Sequence, residues 1–181
     1  MEIFYLYVLG LILFFLLLFI IAEFNSIRRL SNKVKQSKSG IDVALTKRFD
    51  LIPNLIECVK GYMTYEEKVL QSLTEQRKSY ESTKSFADGE KTNKDVNHIL
   101  ALAEKYPNLK SNEQFLKLQE QLEKLETQIA AARRLYNSDV TMYNTKIAVF
   151  PSSIIAKMMR AKKQDLYDAE DEAKNKQDIN F

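Results

Sequence analysis

From Ile3 to Ala22 the chain reads IFYLYVLGLILFFLLLFIIA, twenty consecutive residues without a charge. At about 1.5 Å per helical residue such a run is roughly 30 Å long, the thickness of a bilayer's hydrocarbon core. A cleaved signal peptide would need a basic leading segment, a shorter apolar stretch and small residues at its end. Met1-Glu2 is not basic, the stretch is too long, and no A-x-A site follows. The expectation is a transmembrane helix over residues 1–23, with Ile3, Gly10, Leu16 and Ala22 marking its course.

The flank of that run sets a direction. Between Phe24 and Arg48 stand seven basic residues (Arg28, Arg29, Lys33, Lys35, Lys38, Lys47 and Arg48) against one acid, Asp42. The rest of the chain holds 20 basic and 23 acidic residues, so the net charge of +3 comes entirely from this juxtamembrane stretch. Positive flanks stay on the cytoplasmic side, which puts the N-terminus outside and the body inside. Arg28, Arg29, Lys33, Lys35 and Lys38 could also meet anionic headgroups. The lipid bilayer is thus the first expected partner.

Composition removes most enzyme classes. Four glycines and three prolines leave little material for the turns of sheets and barrels, and no strand pattern occurs. One Cys and one His exclude a disulfide framework, a thiolate metal cage, paired-histidine zinc sites and a di-iron bundle built on two ExxH motifs. There is no GxxxxGK[ST] or GxGxxG phosphate loop, and His98 alone cannot complete a Ser-His-Asp triad. The basic run is membrane-adjacent and poor in aromatics, which argues against nucleic acid. No catalytic residue, cofactor or metal is expected.

The body reads as helices. Ile27, Leu30, Val34, Ile41, Ala44 and Ile52 keep three-four spacing, so the membrane helix should continue into the body. Asp50 resembles an N-cap with Pro53 in the first turn of a second helix, which carries Leu55, Val59, Tyr62, Val69, Leu73 and Tyr80. FADGEKTNKD (86–95) reads as a loop, and a short helix around Val96–Ala103 stops before Pro107. Ser111 with Gln114 resembles a capping box opening the longest helix, whose stripe runs Phe115, Leu118, Leu122, Leu125, Ile129, Ala132, Tyr136, Tyr143, Ile147 and Phe150. Pro151 ends it, SSIIAKMM adds a turn or two, and residues 161–181 read as a loosely ordered polar tail. The expected fold is all-α: a transmembrane helix followed by an elongated antiparallel bundle of three long helices plus a short one, over residues 24–160.

Two blocks, IDVALTKRFDLIPNLIECVKGYMTYEE (41–67) and QIAAARRLYNSDVTMYNTKIAVFPSSIIAKM (128–158), resemble the two signatures of LemA family proteins. The resemblance covers nearly the whole chain in order. It implies a bacterial protein of the cell (inner) membrane, with an N-terminal anchor and a cytoplasmic helical bundle. It implies no catalysis, and relatives implicated in bacterial organelle membranes suggest membrane organisation. The sequence departs from the family where Ser39-Gly40-Ile41 precedes Asp42 without an aromatic, and where the tail beyond Met159 lacks a short aromatic ending.

If helix one rises, helix two returns and helix three rises again, then Asp50–Asn54 and Phe150-Pro151 meet far from the bilayer. Asp42, Arg48, Asp50, Asn54, Arg133, Arg134, Asn137, Asp139 and Asn144 would then form a polar cluster near that end. It is either a binding site for a polar ligand or peptide, or a set of buried groups that fix helix register. Cys58 reads as a structural thiol beside the core. The functional expectation is a non-enzymatic scaffold or adaptor, a homo-oligomer with a further protein partner. A signalling relay from an external partner is the alternative.

Overall fold

The computed structural model describes residues 1–62, 67–83 and 86–167. Among them the chain is helical without a strand: α1 (Glu2–Lys60), α2 (Glu67–Thr83), α3 (Phe86–Ala103), α4 (Pro107–Lys110), α5 (Glu113–Ala148) and α6 (Ser152–Met158). The chain divides into two compact units, one of residues 1–38 with 134–181 and one of residues 39–133. Both α1 and α5 contribute to each.

The expected break at Asp50 is absent. α1 runs unbroken for 59 residues with Pro53 inside it, so Asp50 is an exposed mid-helix residue and no cap. An interior proline costs about 3 kcal/mol through its missing N–H and its clash with the preceding turn. Packing outweighs that cost here, because Ile41, Leu45, Phe49, Ile52, Leu55 and Val59 are all buried on one face that stays in register across Pro53. Each such side chain gives about 1.5–3 kcal/mol on full burial. The second helix is accordingly α2, and it begins at Glu67.

The second unit is a bundle of α1 from residue 39, α2, α3 and the first half of α5. α2 and α3 pack on one another. Phe49 of α1 stacks on Tyr80 of α2 with ring centroids 4.2 Å apart. α5 runs antiparallel to α1, since Arg48 meets Glu126 while Cys58 meets Asn112. The expected loop at 86–95 is helical, as the start of α3. Its polar composition is carried by the remainder of the helix, where Val96, Ile99 and Ala103 are buried. Ser111 does not cap α5. Asn112 does, its Oδ1 accepting from the backbone N–H of Gln114 at 2.9 Å and of Phe115 at 3.1 Å.

The first unit joins α1 up to residue 38 to the end of α5, α6 and residues 159–167. Residues 3–22 are the one stretch among the described residues long and apolar enough to cross a membrane. Lys146 of α5 pairs with Glu23 of α1 at 2.7 Å. Tyr143, one turn earlier on α5, shares a small cavity with Ile27 and Ser31. α5 therefore descends toward the apolar run as α1 rises from it. Of the expected convergence, Asp50–Asn54 falls in the second unit and Phe150-Pro151 in the first. The second helix expected from Asp50 to Tyr80 is divided between the end of α1 and α2, and the short helix expected at Val96–Ala103 is the end of the longer α3.

Residues 161–167 are not helical, yet they are fixed in place, and Tyr167 is buried. The remainder of the expected loose tail, from 168, lies outside the described residues.

Candidate functional site

The nine polar residues singled out in the sequence divide between the two units. Asp42, Arg48, Asp50, Asn54 and Arg133 belong to the second, and Arg134, Asn137, Asp139 and Asn144 to the first. Each group has its own chemistry.

In the second unit Arg48 occupies a core position of α1 and is 2% exposed. Its guanidinium Nη1 pairs with Oε2 of Glu126 on α5, which stands half in water. Glu126 was not singled out in the sequence, though it sits one position after Leu125 on the α5 stripe. The Asp42 carbonyl accepts hydrogen bonds from its own helix's Thr46 hydroxyl at 2.8 Å and from the Tyr80 hydroxyl at 3.3 Å. The Arg48–Glu126 and Tyr80–Asp42 contacts join helices in the way that sets register, while the Thr46 bond lies within α1.

Asn54 is exposed and lines an open cleft of about 630 Å³ at the turn end of this bundle, with Glu57, Cys58, Asn112 and Lys117. The Cys58 thiol donates to Asn112 Oδ1 at 3.9 Å, and the Asn112 amide donates to the Tyr62 hydroxyl at 3.4 Å. Burial pushes the Cys58 thiol up. A group held as the thiol is a poor nucleophile, and no histidine lines the cleft. The cleft can offer polar contacts to a partner. Among the described residues no three His, Cys, Asp or Glu side chains converge to hold a metal ion.

In the first unit two asparagines do something the sequence did not announce. Asn137 accepts from the Tyr167 N–H at 2.7 Å and donates to the Tyr167 carbonyl at 3.1 Å. Asn144 treats Gln164 in the same way, at 2.9 Å and 2.8 Å. Tyr136 adds a bond from its hydroxyl to the Asp165 carbonyl at 3.0 Å. Burial, helped by the Asp165 carboxylate, pushes the Tyr136 phenol up. The side-chain amides thus act as a clamp on peptide backbone, and the chain's own residues 164–167 occupy it. Asp139 is buried beside Val140, while Arg134 is exposed.

A candidate membrane span that runs straight into a body helical among the described residues, with a clamp and a cleft, defines a helical-bundle protein with a possible membrane-spanning helix. The family model of the LemA family matches residues 37–181, and the chain belongs to that family. It is similar to Protein LemA of Metamycoplasma hominis, 28% identical over 152 residues that cover 79% of this chain. The chain spans 65% of the length of that curated relative.

Proposed function

We propose that this protein is a non-enzymatic, single-pass membrane protein whose helical body serves as a scaffold or adaptor on the cytoplasmic face of a bacterial cell membrane, self-associating in the membrane plane. The observation that carries this reading is α1. Its residues 3–22 are uncharged, those up to Phe19 are exposed along the whole helix, and they lead without a break into the packed body. A soluble protein exposing so large an apolar surface would aggregate, whereas in a bilayer it is an anchor. The basic flank from Arg28 to Lys38 supports a cytoplasmic body. The open cleft beside Asn54, lined by polar side chains, supports recognition.

The unbroken helix also favours a second reading, a relay. α1 is one helix from Glu2 to Lys60, so the span and part of the body belong to the same element. That role needs an external partner as the sensor.

Photo-crosslinking in cells from a probe at Asn54 tests the leading reading. Bands at multiples of the chain mass are expected of a self-assembling scaffold, and one discrete heterologous band of an adaptor. Recovery of the chain in the soluble fraction, or no crosslink at all, would overturn it.

A further inference from the structure

We propose that α6 and the corner before it form a second contact with the bilayer, lying in the anionic headgroup region beside the anchor. This rests on the reading of residues 3–22 as a span. Three observations carry it: an apolar face without a protein partner, a ring of one-sign charge around it, and its height.

Phe150 is 79% exposed, Ile154 53% and Met158 74%. Spaced four apart, they fall on one face of the corner and α6. The opposite face is packed, with Ser152, Ile155 and Ala156 buried. α6 is therefore held by one side and offers greasy side chains on the other. Around that face stand Lys157, Arg160, Lys162 and Lys163, with no acid between Ser152 and Gln164. An apolar face bordered by cations is the pattern of a helix lying in a membrane interface.

The height follows from the anchor. Glu23 is the first charge after the uncharged run, and Lys146 holds it. α5 descends toward the span and ends at Ala148, two residues and about 3 Å beyond Lys146, and Phe150 follows in the corner. Ile20, one turn inside the run, is the first of its residues to lose full exposure. Arg160 and Lys162 then line the same cavity of about 230 Å³ as Arg28 of α1, so cations from both ends of the sequence meet at the level of the headgroups. A second copy of the chain is a poorer occupant, since its own four cations would face these four. The patch is also short, one seven-residue helix, against the roughly 800 Å² per partner of a stable interface.

The test uses the full chain with Cys58→Ser, in nanodiscs of phosphatidylcholine with or without phosphatidylserine, one copy per disc. An environment-sensitive probe is attached at Ile154→Cys or, separately, at Leu16→Cys, and lipid-borne quenchers report depth. The Leu16 probe is quenched in both lipids if the anchor reading holds; failure there overturns that reading and this one with it. The Ile154 probe is expected to lose roughly half its emission to headgroup-level quenchers in phosphatidylserine discs. It should lose less in neutral discs, and less again when Lys157, Arg160, Lys162 and Lys163 are all changed to Glu. A quenched Leu16 probe beside an unquenched Ile154 probe overturns the inference alone. So does an Ile154 probe that is shielded only when two copies share a disc, which would assign the patch to self-association.

Discussion

Asn137 and Asn144 stand two turns apart on α5 and grip backbone positions three residues apart, Tyr167 and Gln164, each through a paired donor and acceptor. Seven helical residues rise about 10.5 Å, and three extended residues span about 10 Å. The two repeats match, so one helix can hold a strand of backbone by side chains alone. Because the clamp reads N–H and C=O and not side chains, it fixes the path of the strand without requiring its sequence.

Replacing both asparagines with Ala should free residues 161–167. Each loses two hydrogen bonds worth about 1 kcal/mol net apiece, about 4 kcal/mol in all, so opening of the segment should become roughly a thousandfold easier. Hydrogen exchange at the Gln164 and Tyr167 amides measures it, and unchanged protection would show that packing of Tyr167 holds the strand instead.

Arg48 and Glu126 should respond asymmetrically. Glu126→Ala leaves a guanidinium buried at 2% exposure facing a lost partner. The cost should be about 2–3 kcal/mol, below that of a fully buried pair because Glu126 is partly hydrated. Arg48→Met keeps the volume and removes the charge, and should cost less. Chemical denaturation of both variants gives the comparison; equal losses would contradict it.

Two phenols predict a loss of stability in alkali. Burial pushes the Tyr80 phenol above its ordinary value of 10.0, with Asp42 adding to the rise and a hydrogen bond with Thr46 opposing it. Burial and Asp165 do the same for Tyr136. A raised folded-state value means that the native state holds its protons longer than the unfolded chain. Their contribution is complete below about pH 10 and is lost as pH rises beyond it. Denaturation midpoints for the chain and for Tyr80→Phe should converge as pH passes upward through that range.

Pro53→Ala should stabilise α1. It restores a helical N–H at an exposed position, and regaining part of the roughly 3 kcal/mol that an interior proline costs outweighs the 0.4–1 kcal/mol of unfolded-state restriction it removes. A rise in Tm is expected; a fall would show that the proline relieves strain.

Cys58 should react slowly with alkylating reagents in the native protein, since burial keeps it as the thiol. A rate near that of a small free thiol at neutral pH would contradict this, and unfolding should restore it.

The helical class, the candidate span and most of the core were legible in local pattern. Ile27, Ile41, Ile52, Leu122, Ile129 and Tyr143 were placed on buried faces by three-four spacing, and all are buried. Phe150 continued the same spacing yet is exposed, because the helix had ended before it and no neighbour remained to cover it. Asp50-Leu51-Ile52-Pro53 carried a strong boundary signal that packing overrode. The polar segment from 86 carried a loop signal that the rest of α3 overrode. Asn137 and Asn144 were recognised as polar groups on an apolar helix, but their partners lie 30 and 20 residues away in a segment without any periodicity.

What the sequence determined by itself was that the chain is helical, which face of most helices is apolar, and where a bilayer could hold the chain. These are properties of neighbouring residues, set by the helical repeat and by the length of an uncharged run. Tertiary structure alone decided which helix ends meet. Lys146 found Glu23, Arg48 found Glu126, and residues 164–167 lay down on two asparagines. Such pairings depend on the number of reversals between distant segments and on the competition of whole faces for burial, and no local window contains either.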